Sequence, residues 1–391
     1  MGSSPILRIK KIGEKKIVSF YSSKTEDVLS IPKKERKKIG LFPTEKELVD
    51  LVLSKLQIKK EDFVLEPSFG TGEFIIPLRE KSDNVYGVEL ESSIYNDFGN
   101  CFNEDFLTWE TNLKFDFIIG NPPFFETKKY KDIFQEVSYG RNNIYSFFIK
   151  KSIDLLKENG IMAFITPKTI NTGKYFYKIR DYIISNTEII DLYDIEDFDN
   201  VYQDLQVIVL QKKENTGKFI SVKRDISIFS KEYKKINYLI ENCETISSLG
   251  FEVKTGSVVW NQVKDLLSSK KKETTLIWSE NIKDYSLVKS SRREFQFVSV
   301  APTYEKGIVS NRIFGNKLNF AIVDFPFVAE NHVNVIINKK NKISYEELLE
   351  KIRKSNMNDY INLFSNSTQI SKAELEEMPI WEATKEAGLT K

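Results

Sequence analysis

The stretch FDFIIGNPPFFE, residues 115–126, runs from an apolar segment directly into Asn121, Pro122, Pro123 and Phe124. The asparagine supplies an amide oxygen as acceptor. The prolines fix φ and lack N–H groups, so they hold a neighbouring carbonyl as a stiff second acceptor. The phenylalanines add flat faces for stacking. Two rigid oxygens beside a ring suit a planar nitrogen group whose hydrogens are held while its lone pair is localised. The competing explanation is a proline-terminated edge strand with aromatic core residues.

A second set of polar residues lies upstream. FVLEP (63–67) is followed by Ser68–Phe69–Gly70–Thr71–Gly72 and a helical EFIIPLREK, so a ligand can approach the backbone at a helix N-terminus. Glu89 ends the next strand, nineteen residues after Gly70, where a carboxylate accepts from the ribose hydroxyls of a nucleoside. Asp105, in NEDF, stands where it can accept from an adenine amino group. No GKS or GKT follows the turn, which disfavours ATP and NAD as ligands. S-adenosylmethionine fits better, because its sulfonium suits acidic and aromatic walls.

The elements that must carry these groups alternate. After a helical LFPTEKELVDLVLSKL, with apolar Leu48, Leu51, Val52 and Leu56, the strand candidates are 63–67, 85–90, 115–120, 160–167 and 206–211, separated by amphipathic stretches. That order predicts an α/β fold with a largely parallel, doubly wound sheet whose strand ends form the ligand crevice. A basic extension at 1–40 ends in KKERKK. The catalytic unit then spans 41–214, a connector 215–248, and a smaller α+β or β-rich domain 249–391.

The chain has 391 residues, 41% hydrophobic and 13% aromatic, enough for two cores and too apolar for global disorder. No apolar run approaches the roughly 18 residues of a membrane helix, and the first residues lack the apolar centre of a secretory signal. Two distant cysteines, Cys101 and Cys243, give no disulfide framework and no metal spacing, which fits a reducing cytoplasm. Neither follows proline, the usual context of the thiolate that methylates cytosine carbon. Residues 1–214 carry 31 Lys+Arg against 34 Asp+Glu, net −3; residues 215–391 carry 27 against 22, net +5. The asymmetry mildly favours a polyanionic partner for the C-terminal part, against the plainer reading of a solvated lysine-rich surface.

In chain order, KKIGLFPT, LEPSFGTG, VYGVELE, NEDF, IIGNPPF, NNIYSFFIKKSIDLLKENGIMAFITP and VYQDLQVIVL cover about residues 38–212. Together they resemble the gamma-class adenine-N6 DNA methyltransferases of bacterial restriction–modification systems. The resemblance implies a Rossmann-like class I methyltransferase domain followed by a DNA target-recognition domain. It also implies a partner in double-stranded DNA and a separate cognate restriction endonuclease. It places Thr44, Glu66, Pro67, Ser68, Gly70, Gly72, Glu89, Leu90, Asp105, Phe106 and Asn121 around S-adenosylmethionine. Asn121, Pro122, Pro123 and Phe124 then act on an adenine rotated out of the duplex, with Phe124 on one face and Tyr202 on the other. The chain departs from the family in reading Phe42–Pro43–Thr44 for the usual aromatic-Thr-Pro, and Phe124 where tyrosine is commoner.

Lys128, Lys129 and Arg141, in the segment after the motif, are candidate phosphate contacts. Asn261, Gln262, Arg292, Arg293 and Arg312 offer donors for purine edges. His332, the sole histidine, is either structural or a DNA-facing donor. Two other functions compete: methylation of RNA adenine or guanine or of a protein glutamine by the same clamp, and DNA binding without turnover.

Overall fold

The computed structural model describes residues 19–195, 205–223, 226–269, 273–289, 296–313, 317–362 and 369–381. The chain forms two compact units, Met1–Tyr233 and Lys234–Lys391.

The first unit is built on seven strands: β1 Phe63–Glu66, β2 Asn84–Val88, β3 Cys101–Phe102, β4 Phe115–Gly120, β5 Leu156–Pro167, β6 Glu188–Ile195 and β7 Leu205–Gln211. They lie in the order 3-2-1-4-5-7-6. Strands β1 to β5 pair in parallel, whereas β7 runs antiparallel to both β5 and β6. The side-chain alternation of β4 explains why both faces are covered. Ile118 enters one core, with Leu65, Met162 and Ile208; Phe117 and Ile119 enter the other, with Val64, Ala163 and Val207.

Helices α1 Thr25–Ser30, α2 Lys33–Ile39 and α3 Lys46–Ser54 precede β1, and α4 Ile75–Lys81, α5 Ile144–Leu155 and α6 Tyr177–Asn186 lie in the connections from β1 to β2, β4 to β5 and β5 to β6. Helix α3 buries Leu48, Val49, Val52 and Leu53 along one stripe. The helix expected from EFIIPLREK begins only at Ile75, because Thr71–Phe74 is spent on a turn in which Gly72 takes φ +101°. The basic run at 33–38, left without an element by the sequence, lies in α2, entered from Pro32 and closed by Gly40 at φ +71°. Strand β6 carries Asp191 and Asp194, which break its apolar pattern, and it lies at the edge of the sheet.

The second unit mixes strands and helices. A four-stranded antiparallel sheet has the order Phe251–Thr255, Val333–Asn338, Gly307–Asn311, Phe320–Val323. Helix Tyr345–Lys354 starts in a capping box, Ser344 accepting from the Glu347 N–H, and buries Leu348 and Ile352 in a core with Ile308, Phe320 and Ile336. Among the described residues, no helix is long and apolar enough to cross a membrane.

Candidate active site

Strand β1 ends on Glu66, and the turn that follows is closed by local bonds: Phe69 N donates to Val88 O at 3.2 Å and Gly72 N to Phe69 O at 2.7 Å. Glu89, one residue beyond β2, accepts from Gly70 N through Oε2 and from Glu91 N through Oε1, both at 2.8 Å. The glycine turn and the second strand are thereby tied at the carboxylate. Glu66 is 2% exposed and its Oε2 has no hydrogen-bond partner. Burial, reinforced by the nearby Glu89 and Glu73 charges, holds its carboxyl well above the ordinary value of 4.5. Burial also raises Glu89, opposed by the N–H groups of Glu91 and Gly70. The buried Ser68 Oγ likewise lacks a partner.

Glu73 was not singled out from the sequence, although it lies one residue past the glycine turn. It accepts from Tyr21 N at 2.7 Å and Ser22 N at 3.3 Å, and Thr25 Oγ1 also donates to it. Thr25 and Thr71 share a 2.8 Å hydroxyl bond. The chain ahead of α1 is fastened in this way to the ligand turn.

Asp105 follows β3. Its Oδ1 accepts from Leu107 N at 3.1 Å, and its Oδ2 from Tyr130 Oη at 2.7 Å and Lys129 Nζ at 3.0 Å. Lys129, expected on DNA phosphate, is here paired with the carboxylate expected on adenine. Its ammonium is raised by bonds to Tyr130 and Asp105. Tyr130 carried no sequence signal, since it reaches Asp105 through the segment after Phe125.

The Asn121–Phe124 motif follows β4 directly after Gly120. Asn121 Nδ2 donates to Thr44 Oγ1 at 3.2 Å and to Phe42 O at 3.4 Å. A backbone carbonyl only accepts, so these contacts fix the amide's orientation and direct Oδ1 elsewhere. That oxygen is shielded and has no partner. The residue at 40 must be glycine for this loop to reach the motif: a Cβ there would stand 2.5 Å from Pro123 Cβ, at a φ that side chains avoid. Pro122 is buried, and Phe124 is half-buried, edge-on to the fully buried Tyr145 with centroids 5.9 Å apart.

A cavity of about 330 Å³ joins these groups. Of the residues expected around cofactor or target, Thr44, Glu66, Pro67, Ser68, Gly70, Glu89, Leu90, Asp105, Phe106, Asn121 and Pro123 line it. Gly72, Pro122 and Phe124 do not; Gly72 packs against the Phe98 ring. Phe125, Tyr130, Ile144 and Phe148 also line the cavity without having been anticipated. Tyr202, Arg292 and Arg293 lie outside the described residues. Lys128 is exposed, and Arg141 is exposed and 4.0 Å from Glu126. In the second unit, Asn261 and Gln262 are exposed on the single turn Trp260–Gln262, and Arg312 is half-buried.

Residues 45–202 match the family model described as Eco57I restriction-modification methylase. The chain is 27% identical over 410 aligned positions to the type II methyltransferase M.CvrRI of Paramecium bursaria Chlorella virus XZ-6E, covering 95% of this chain and 100% of the relative. It is 29% identical to the modification methylase CviBIII of Paramecium bursaria Chlorella virus NC1A, covering 93% of this chain and 100% of the relative. Among solved structures, the cryo-EM DrdV–DNA complex is 14% identical with a TM-score of 0.54, covering 92% of this chain and 57% of that one. The fold is α/β, a mixed sheet with central parallel strands, and it is shared with the DrdV structure.

Proposed function

We propose that this chain, whose residues 45–202 fall in the Eco57I restriction-modification methylase family, is a site-specific DNA methyltransferase that modifies the N6 amine of an adenine turned out of duplex DNA. The observation that carries the reading is the Asn121 amide. Its nitrogen end is held by Phe42 and Thr44, which leaves a partnerless oxygen in the same cavity as the buried acids.

The residues present fit S-adenosylmethionine. Glu66 and Glu89 are buried carboxyls whose ionised forms are disfavoured until a cation arrives, and Glu66 Oε2 and Ser68 Oγ are orphaned acceptors. When bound, the cofactor supplies an electrophilic methyl carbon carried on a sulfonium. Glu89 would accept from its ribose hydroxyls, and Asp105, supported by Tyr130 and Lys129, from its adenine amine.

The exocyclic amine of adenine is a poor nucleophile because its lone pair is delocalised into the ring. In this reading Asn121 Oδ1 and the Pro122 carbonyl accept its two hydrogens, favour a pyramidal nitrogen and point the lone pair at the methyl carbon. Those bonds strengthen as the nitrogen acquires charge, so they act on the transition state more than on the bound base. In this reading Phe124, edge-on to Tyr145, would stack on the extruded base. The second unit, built from residues that carry net +5 with the connector, would read the target sequence.

The test is transfer of a labelled methyl group to duplex DNA, transfer RNA and protein offered in parallel, followed by nucleoside mass spectrometry. N6-methyldeoxyadenosine is expected. Label in RNA or protein alone, or on cytosine, would overturn the reading.

A further inference from the structure

In the second unit, three segments distant in sequence meet at one end of the four-stranded sheet. Strand Gly307–Asn311 pairs antiparallel with Val333–Asn338, Asn311 opposite Val333, and Arg312 N donates to His332 O at 2.8 Å. The third segment enters through a bridge between Val258 and Glu330, with Asn331 N donating to Val258 O at 2.9 Å. Two residues beyond Val258 begins the turn bearing Asn261 and Gln262.

At that junction Glu330 is 2% exposed. Both of its oxygens are given to one residue: Oε1 is 2.6 Å from His332 Nδ1 and Oε2 is 2.9 Å from His332 N. The carboxylate accepts, so Nδ1 bears the hydrogen and Nε2 is the ring atom left to bond elsewhere. The His332 side chain is 41% exposed. Nearby, the shielded Arg312 Nε and Asn331 Oδ1 have no hydrogen-bond partners among the described residues. Burying a carboxylate is costly, and here it serves to fix the tautomer and direction of an exposed imidazole. That arrangement orients a contact group more than it packs a core.

We propose that His332 is a specificity-determining residue whose Nε2 contacts one base edge of the recognised duplex, with Glu330 as its positioning residue and Arg312 beside it in the backbone. The inference rests on the DNA-methyltransferase reading above. Nε2 would accept from the amino group of adenine or cytosine, or, with the ring protonated, donate to guanine.

The test is methylation of a random-sequence duplex library, read by methylation-sensitive sequencing, with the parent protein and with His332→Ala, His332→Gln and Glu330→Gln. The parent should give one defined motif. The His332 variants should methylate the same motif with discrimination lost at a single position by about ten- to a hundredfold, the worth of one good base contact. Glu330→Gln should relax the same position by a smaller factor. The identity of the relaxed base tells whether Nε2 accepts or donates. Folded His332→Gln reading an unchanged motif would overturn the proposal, and so would His332→Ala failing to fold while His332→Gln reads normally. A parent protein that labels no DNA would overturn the underlying reading as well, which separates the two failures.

Discussion

Asn121 Nδ2 lies 3.2 Å from Thr44 Oγ1, across 77 residues of sequence, and this contact helps decide which end of the amide is free to act. Thr44 is 3% exposed and lines the cavity beside Asn121. Thr44→Val should lower the methyl-transfer rate at saturating cofactor by roughly tenfold, the equivalent of one lost hydrogen bond of about 1.4 kcal/mol, while Thr44→Ser stays near parent. Equal rates in single-turnover assays of Thr44→Val and the parent would refute the orienting role.

The buried acids make opposite predictions for the empty and loaded protein. Folding raises the Glu66 and Glu89 carboxyls above their ordinary value of 4.5, so the folded chain takes up their protons more readily than the unfolded one. Their effect on stability is therefore unfavourable above the raised values, is relieved as pH falls through them, and is absent below 4.5. Glu66→Gln should accordingly exceed the parent in stability at neutral pH, by a margin that shrinks on acidification, as read from denaturant titrations.

Cofactor affinity should move the other way. A cationic ligand needs these carboxyls ionised, so titration calorimetry should show weaker S-adenosylmethionine binding as pH falls through their raised values. Glu89→Gln should bind more weakly at every pH and with a flatter dependence.

Glu73 carries a structural prediction. Glu73→Ala strands the N–H groups of Tyr21 and Ser22 and leaves the Thr25 hydroxyl with Thr71 alone, a loss of about 1–3 kcal/mol by the usual cost of unpaired buried donors. Hydrogen exchange over residues 19–30 should accelerate, with the core strand β4 still protected.

What the sequence revealed of this architecture follows a physical divide. Strands β1, β2, β4, β5 and β7 are runs of Val, Ile, Leu and Phe because both sheet faces are covered, and such runs announce themselves. Edge strand β6 alternates acids with apolar residues, and β3 is only two residues long, so neither stood out. In the site, the groups at strand ends were readable because a parallel sheet gathers them: Glu66, Glu89, Asp105 and Asn121 line one cavity. Tyr130 and Phe148 arrive from a loop and a helix whose local sequence says nothing about the cavity. The partnering of Lys129 with Asp105 was equally hidden, because a lysine beside an acid in space leaves no trace in spacing.

The most direct measurement is single-turnover methyl transfer by Asn121→Ala on duplex DNA, at cofactor concentrations shown by calorimetry to saturate both proteins. The parent should form N6-methyldeoxyadenosine. The variant should still bind duplex DNA and should transfer at least a hundredfold more slowly, the loss typical of removing one preorganised transition-state contact. Transfer by Asn121→Ala at near the parent rate would contradict the assignment of the orphaned amide oxygen as the group that activates the base.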